Sequence, residues 1–298
     1  MKKFSKNLIL FLFLLLFLMV MLPAPSAEER DASKKRVVHF AFISLYSPRI
    51  MYEKYQPLMD YLTENTPYRF ELKLGWDYRD IINFLKNDSA EIALLGAATY
   101  LEAKKEFNVV PILASLDSDR MPTYRSAIVT RKDNNDITSL SDLKGKTVAF
   151  ASRRSTSGYL VPLYYLYKAG VKMEDLSGYC NQDYHDAVVR EVLKGRCRVG
   201  AMLHSVALRY SKDLRIIFLS DPVPGLPIVV KGNTSPEFVK SIKKAFLALS
   251  PDNPAHQNIL QAWDEEMNYG FTEVNDTHFN PVREIVNYLR EMGVKVIH

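Results

Sequence analysis

The stretch DLKGKTVAFASRRSTSGYLVP, residues 142–162, sets out a strand, a turn and a helix in succession. The β-branched and aromatic run KTVAF predicts a strand, and the apolar residues after Gly158 predict a helix. Between them lie three hydroxyl residues, Ser155, Thr156 and Ser157. Hydroxyl side chains at a helix start either cap its free N–H groups or join those groups in holding an anion. This turn by itself leaves both interpretations open.

Strand-like and helix-like segments alternate on both sides of this stretch. VVHFAFI (37–43), EIALLG (91–96) and RVGAML (198–203) are typical of buried strands. Amphipathic segments such as YRDIINFLKN (78–87) are typical of helices. This alternation predicts an α/β protein whose sheets are mixed but mostly parallel and are flanked by helices.

Two breaks in the alternation divide the chain into lobes. LDSDRMPTY (116–124) and DPVPGLP (221–227) are rich in turn residues. We predict a lobe I formed by residues 37–122 and 221–298, and a lobe II formed by residues 123–220. Two crossings between the lobes make a hinge and leave a cleft, and small ligands bind at such interfaces.

The N-terminus is typical of an export signal. Three lysines precede an uninterrupted apolar run over residues 8–22, which is shorter than the roughly 20 residues of a membrane-spanning helix. Residues 1–27 are therefore predicted to be a signal peptide, followed by a linker over residues 28–36, and the protein is expected in the periplasm. The cleavage site at Ala27 is poor, so an uncleaved membrane anchor is the alternative.

Composition and motifs exclude several functional classes. The formal charge is +5, and three lysines without any acid in residues 1–27 leave the rest near +2. No basic patch alternates with aromatic residues, so no nucleic-acid partner is expected. The six histidines fall in no metal-ligand spacing, and the motifs GxSxG, HExxH, GxGxxG and the P-loop are missing from the sequence. We expect a monomeric binding protein with neither enzyme activity nor cofactor nor metal.

The two cysteines, Cys180 and Cys197, match no CxxC metal or redox motif. A disulfide is permitted in an exported chain. Two buried free thiols are equally consistent with the strand-like segments beside them. The sequence leaves the choice open.

Three strand-to-helix turns are predicted to open onto the cleft. One places Tyr46 just before a helix cap, one places Tyr100 in a first helical turn, and the third is the 155–157 hydroxyl turn. Taken singly, a hydroxyl turn is more often only a cap and such a tyrosine is more often packing. Helix N-termini offer unpaired N–H groups and partial positive charge. The three turns together predict an oxyanion site, with Tyr46 and Tyr100 as O–H donors. GWDYRD (75–80) is interpreted as a packed loop.

Residues 124–171 resemble the core of the substrate-binding proteins of phosphate, phosphite and phosphonate ABC transporters. The similarity is strongest in DLKGKTVAF and STSGYLVP, and EIALLGAATYLEA and YHDAVVREVLKGRCRVGAM extend it over roughly residues 37–230. These proteins are bilobed periplasmic binding proteins of the type II class. The resemblance therefore implies a clamshell with two hinge crossings that captures a small phosphorus oxyanion for an ABC permease.

The resemblance also implies roles for individual residues. The implied ligand-binding residues are Ser155, Thr156, Ser157, Tyr100, Tyr46 and His185. Arg198 stands where family members commonly have an acidic residue. Members that bind an aminophosphonate hold its amino group with acids elsewhere in the middle lobe, and no such acids are matched in this sequence, which weakens the case for that ligand. A clamshell retuned to another anion, and a tethered clamshell that reports its ligand to a membrane sensor, are the alternatives.

Overall fold

The computed structural model of the protein describes residues 34–263 and 267–296. The predicted signal peptide, residues 1–27, lies outside the described residues, so its cleavage and the membrane-anchor alternative stay predictions. Among the helices of the two described ranges, none has the length and apolar character that a membrane span requires.

The N-terminal third of the chain alternates strands and helices, as its hydrophobic pattern predicted. The strands are β1 (Arg36–Phe42), β2 (Tyr68–Leu74), β3 (Ile92–Leu94) and β4 (Val109–Ser115). The helices are α1 (Pro48–Asn65), α2 (Tyr78–Lys86) and α3 (Ala97–Glu106). Local chemistry sets where they begin: proline suits the first turn of α1, and the Asp77 carboxylate caps α2 by accepting from the Asp80 N–H at 3.0 Å.

The middle of the chain builds a second set of elements. Its strands are β5 (Thr123–Tyr124), β6 (Ser126–Arg131), β7 (Thr147–Phe150), β8 (Gly178–Asn181), β9 (Val199–Leu203) and β10 (Leu214–Leu219). Its α-helices are α4 (Val161–Lys168), α5 (His185–Leu193) and α6 (His204–Arg209). Shorter helical turns span Leu140–Leu143, Thr156–Leu160 and Met173–Asp175.

The C-terminal part adds strands and helices to the first set. Its strands are β11 (Val223–Pro224), β12 (Pro227–Lys231) and β13 (Phe271–Glu273). Its α-helices are α7 (Pro236–Ala248), α8 (Gln257–Gln261) and α9 (Asn280–Glu291). Single 3-10 turns at Pro254–His256 and Asp276–Phe279 precede α8 and α9.

The strands form two large sheets. The first sheet has six strands in the order β13-β4-β12-β3-β1-β2, and the second has five in the order β10-β6-β9-β7-β8. The chain passes from the first to the second between β4 and β6, and returns between β10 and β12. The two passing segments lie side by side, because β5 and β11 pair as an antiparallel ribbon with Val223 opposite Tyr124. The two predicted hinge crossings are thus confirmed, while the residue limits of lobes I and II stay a prediction.

Both sheets are mixed, and most of their strands run in one direction, as predicted. In the first sheet β1, β3 and β4 run against β12 and β13, and in the second β7, β8, β9 and β10 run against β6. The parallel pairs include β1–β3, β7–β8 and β7–β9. The antiparallel pairs are β3–β12, β4–β12, β4–β13, β6–β9 and β6–β10. A helical crossover onto the same sheet forces parallel pairing. β6 and β12 instead enter their sheets straight from the hinge, so that constraint does not apply to them.

Aromatic side chains fill the core on one face of the first sheet. Phe42 of β1 lies between Phe40, at 4.4 Å between ring centroids, and Tyr55 of α1, at 4.6 Å. Phe246 of α7 packs edge-on against Phe271 of β13 at 4.7 Å. Aromatic burial of this kind dominates core energetics, and it holds α1 and α7 on one face of the sheet.

The second sheet packs against α5 with little space to spare. Gly200 of β9 has no side chain, and a Cβ atom there would lie 2.8 Å from Val192 Cγ2 and 2.9 Å from Val188 Cγ1 of that helix. Both valines are fully buried. The helix therefore sits directly on the backbone of β9.

Gly200→Ala should lower the free energy of unfolding by about 1–3 kcal/mol, because the added methyl group overpacks the contact with α5. Urea unfolding followed by circular dichroism measures the change. Gly178→Ala is the matched control, since a Cβ at that strand position meets only Thr147 Cγ2, at 3.9 Å. Equal losses in the two variants would contradict the close packing of α5 on β9.

Candidate functional site

Turns that follow five strands meet between the two sheets. From the first sheet come the turns after β1, β2 and β3, and from the second come those after β7 and β8. The carboxyl ends of parallel strands share one edge of a sheet, which is where open α/β folds place their ligands. Hydrogen bonds join these turns into one buried cluster.

Ser155 lies at the centre of the cluster. Its hydroxyl oxygen accepts a hydrogen bond from the Gly158 N–H at 3.0 Å, and His185 Nε2 lies 3.4 Å from the same oxygen. The Tyr78 hydroxyl also lies beside Ser155. Burial raises the pKa of Tyr78 to about 12, against a smaller opposing effect of Ser155, so the phenol is protonated at neutral pH. Three polar groups thus converge on one buried hydroxyl.

The turn that carries Ser155 is a single π-helical turn, Thr156–Leu160, which continues into α4. The Leu160 N–H donates to the Ser155 carbonyl at 3.1 Å, five residues back. Ser155 is also the N-cap of this turn, because its hydroxyl oxygen accepts from the Gly158 N–H. Helix capping is one of the two roles that the sequence left open for the hydroxyl residues. Isolated π-turns of this kind are frequent at functional sites, because they place an extra backbone group where regular helix has none.

Thr156 connects the turn to the other sheet. Its hydroxyl oxygen accepts from the Ala98 N–H, in the first turn of α3, at 2.9 Å. A side chain at Gly96 would put a Cβ 3.3 Å from that same oxygen, so the glycine permits the close approach. The Thr99 hydroxyl donates to the Arg154 carbonyl at 3.2 Å. The N-terminus of α3 therefore faces the hydroxyl turn directly.

Ser157 is also buried, and its backbone is held in place. Its carbonyl oxygen accepts from the Ser126 hydroxyl of β6 at 2.5 Å. The Ser126 N–H in turn donates to the Ser220 hydroxyl at 2.9 Å. Ser220 begins the return crossing, so the hydroxyl turn is bonded to the start of the hinge.

His185 reaches the cluster from the second sheet. It is the first residue of α5 and is 1% exposed. Its Nδ1 accepts from the Leu203 N–H at 3.1 Å, so this nitrogen carries no proton. The proton of the neutral ring is therefore on Nε2, the atom that faces Ser155. The His185 N–H donates to the Leu45 carbonyl after β1, at 3.3 Å, which ties α5 to the first sheet.

Tyr46 lies beside this contact, between the two sheets. Its ring is fully buried, with Arg209 Cζ of α6 4.8 Å and Lys54 Nζ of α1 5.4 Å from the ring centroid. Arg209 Nη2 also donates to the Tyr46 hydroxyl at 3.3 Å. Cations over an aromatic face gain from its negative quadrupole. Tyr46 thus brings two positive charges to the edge of the cluster.

Tyr100 contacts a different part of the protein. Its hydroxyl donates to the Asp276 carboxylate, which also accepts from Arg283 Nη2 at 2.6 Å, and its ring packs on Phe279 at 4.8 Å. Burial and the Asp276 hydrogen bond raise the pKa of Tyr100 well above its usual value. Successive helix residues point about 100° apart, and Thr99 faces the hydroxyl turn, so Tyr100 does not. The structure does not bring the Tyr100 hydroxyl to the serines.

Tyr78 contacts Ser155 instead, and the sequence analysis missed it by interpreting GWDYRD as a packed loop. Tyr78 is the first residue of α2, directly after the cap Asp77. The available signal was therefore the same as for the other turns, a polar aromatic side chain at a helix start that follows a strand.

Arg198 lies at the opposite end of the second sheet. It immediately precedes β9, and its N–H donates to the Thr147 carbonyl at the start of β7, at 3.0 Å. Its guanidinium contacts Asp136 at 3.3 Å. The hydroxyl turn follows the other end of β7, so Arg198 does not face the cluster.

An ion-pair network also joins the two sides of the cluster. Arg154, which precedes the hydroxyl turn, donates two hydrogen bonds to Glu102 of α3, the shorter at 2.8 Å. Arg79 of α2 lies 3.1 Å from Glu102 and donates to Glu106 at 2.8 Å. The Glu102 side chain is only 7% exposed, so its charge requires these partners.

Glu106 makes the network sensitive to pH. The hydrogen bonds from Arg79 lower the pKa of Glu106 from its usual value near 4.5 to about 2, despite an opposing effect of burial. A carboxylate with a lowered pKa stabilises the fold above its unfolded pKa, and this contribution disappears as the pH falls to the folded pKa.

Glu106→Gln should therefore cost about 0.5–1 kcal/mol of unfolding free energy above pH 5, since the pair is partly solvent-screened. The difference from wild type should shrink between pH 4.5 and about 2. Urea unfolding at a series of pH values measures it. The double variant R79Q/E106Q isolates the pair, and a pH-independent difference between wild type and Glu106→Gln would contradict this assignment.

Two sheets joined by a double crossing, with polar turns meeting between them, define the type II class of periplasmic binding proteins. A binding-protein component of a phosphonate ABC transporter from Pseudomonas aeruginosa has this fold, with a TM-score of 0.78 at 23% identity over 86% of this chain and 87% of that one. The family model for periplasmic substrate-binding proteins of phosphonate ABC transporters matches residues 40–279. The chain belongs to this family, as the resemblance implied, and its function is substrate binding in transport rather than catalysis.

Two curated relatives illustrate the range of the family. The phosphonates-binding periplasmic protein of Escherichia coli strain K12 is 25% identical over 283 residues, which cover 90% of this chain and 80% of that protein. The phosphate-import protein PhnD of Mycolicibacterium smegmatis is 23% identical over 254 residues, which cover 78% and 79%. The two names differ in the phosphorus compound, so family membership does not by itself define the ligand.

Proposed function

We propose that the protein captures phosphate, phosphite or a phosphonate between its two sheets and delivers it, as a monomer, to an ABC permease. The observation that carries the proposal is the convergence on Ser155 of the Gly158 N–H, His185 Nε2 and the Tyr78 hydroxyl. A tetrahedral oxyanion presents many acceptor lone pairs and requires several donors at one place.

The proposed ligand groups are all donors without formal charge. They are the hydroxyls of Ser155, Thr156, Ser157, Tyr46 and Tyr78, the His185 Nε2–H and the N–H groups at the start of α3. Tyr100 is left out because Asp276 engages its hydroxyl. Helix N-termini and hydroxyls hold phosphate-like anions in this manner. Lys54 and Arg209, stacked on Tyr46, add positive potential from a short distance.

Ligand binding is proposed to stabilise the closed arrangement of the two sheets. The polar groups come from both sheets, so a ligand that contacts all of them binds the closed form more tightly than an open one. The contacts that bridge the sheets in the structure include Thr156 to Ala98, His185 to Leu45, and Arg154 to Glu102. Rotation about the β5–β11 ribbon would separate them, as in hinge-closing proteins.

Ligand binding should raise the thermal stability of the exported protein, refolded once to remove carried-over ligand. Phosphate, phosphite, methylphosphonate, 2-aminoethylphosphonate and sulfate are added in turn. A ligand at a hundred times its dissociation constant adds about 2.7 kcal/mol of stability. Ser155→Ala should weaken binding roughly 10- to 100-fold, the value of one hydrogen bond to a charged group.

The matched control for Ser155→Ala is Ser235→Ala. Ser235 caps α7 by accepting from the Phe238 N–H at 3.2 Å. Both variants lose a helix cap, at a cost of about 1 kcal/mol, but Ser235→Ala should keep the full ligand response. Stabilisation of wild type by none of the five anions, or an equal response in both variants, would contradict the proposed site.

Arg154→Gln should weaken ligand binding roughly three- to tenfold, because the variant loses an ion pair that forms only when the two sheets are together. Isothermal titration measures the change. Arg79→Gln is the control, since Arg79 pairs with the same Glu102 from within the first set of elements and loses stability without affecting closure. An affinity loss in Arg79→Gln that equals the loss in Arg154→Gln would contradict the role of this pair in closure.

A further inference from the structure

The two cysteine side chains meet at the far end of α5 from His185. Cys180 Sγ and Cys197 Sγ are 3.5 Å apart, although 17 positions separate them along the chain. Cys180 lies on β8, and Cys197 lies just after the turn that ends α5. The segment between the cysteines is α5 with its two connections, so the sulfur atoms lie where this unit begins and ends.

The register of the sheet explains how the two sulfur atoms come together. Cys180 is paired with Ala149 of β7, and Ala149 is paired with Gly200 of β9. Paired residues of neighbouring strands point to the same face of a sheet, and Gly200 faces α5. Cys180 therefore points toward the layer of α5. The turn at Gly195, with φ +71°, leads the chain from that helix back to the sheet at Cys197.

We propose that Cys180 and Cys197 form a disulfide bond in the exported protein. Family membership places the chain among periplasmic proteins, and that compartment permits disulfides to persist. The protein has two cysteines, so an intramolecular bond has one possible pairing. A movement of about 1.5 Å brings the sulfur atoms from contact to bonding distance.

The bond forms by two exchanges with an external disulfide, either oxidised glutathione or the active-site disulfide of an oxidoreductase. Cys180 is partly exposed and Cys197 is buried, so the Cys180 thiolate attacks first and forms a mixed disulfide, releasing one oxidant thiolate. The Cys197 thiolate then attacks Cys180 Sγ and releases the second. The protein loses two electrons and two protons, and the oxidant becomes two thiols.

The bond would reinforce an edge strand of the second sheet. β8 lies at the edge, pairs with β7 on one side, and has no fully buried residue among its four positions. Linking Cys180 to Cys197 closes a loop around α5 and ties this strand to the segment that leads into β9. Loop closure of this size stabilises a fold chiefly by restricting the unfolded chain. The same bond holds the helix whose other end carries His185.

The test uses the full exported protein in a glutathione buffer rich in the oxidised form, followed by denaturation with iodoacetamide present. The expected product lacks two hydrogen atoms in its intact mass and takes up no alkyl group. Trypsin should release residues 173–190 joined to residues 197–198. Alkylation of both cysteines, or a glutathione adduct on either of them without an internal bond, would overturn the proposal.

Stability provides a second measurement that needs no ligand. The oxidised protein should melt roughly 5–10 °C above the protein treated with dithiothreitol. Cys180→Ser and Cys197→Ser are the controls: neither can form the internal bond, so each should carry one alkyl group or one glutathione on its remaining cysteine and should lack the increase in melting temperature. Equal melting temperatures for oxidised and reduced wild type would overturn the stabilising role of the bond.

Discussion

The candidate site depends on the absence of a side chain at Gly158. A Cβ atom there would lie 2.3 Å from Ala151 Cβ, 2.9 Å from His185 Cε1 and 3.1 Å from Ser155 Oγ. Side chains larger than hydrogen would push α5 away from the hydroxyl turn, or break the cap that Ser155 makes on this residue. The glycine therefore lets a helix start, a histidine and a serine occupy one small volume. The contacts to the first sheet through Thr156 and Arg154 all begin from this same turn.

The contacts that charged side chains make around the hydroxyl turn follow from this crowding. A buried cation or anion without a partner costs several kcal/mol, so the charged groups here contact an opposite charge or an aromatic ring. Arg154 is held by Glu102, and Lys54 and Arg209 stack on Tyr46. The groups that converge on Ser155 are neutral donors. In the proposed complex the anion would be stabilised by oriented dipoles, and the paired arginine would contribute to closure instead of to direct contact.

Much of the architecture was predictable because it follows from local patterns. Hydrophobic alternation indicated the α/β class, and turn-rich segments at 116–124 and 221–227 indicated the two crossings that the β5–β11 ribbon confirms. The direction of β6 and β12 was not predictable in the same way. Both strands pair antiparallel with neighbours far away in sequence, and no local pattern encodes the side from which a strand enters a sheet.

The sequence predicted Ser155, Thr156 and His185 as members of the candidate site, because a helix start after a strand leaves a recognisable signal and the family resemblance added the histidine. The tertiary structure determines which tyrosine lies beside these residues. Tyr78 and Tyr100 both lie in the first turn of helices that follow strands. The contacts of Thr99 and Glu102 orient α3 so that Tyr100 contacts Asp276, while Tyr78 of α2 lies beside Ser155. The sequence by itself determined the fold class, the family and the hydroxyl turn. Only the tertiary structure decided which side chains reach that turn, because the rotation of each helix about its axis is set by packing against distant residues.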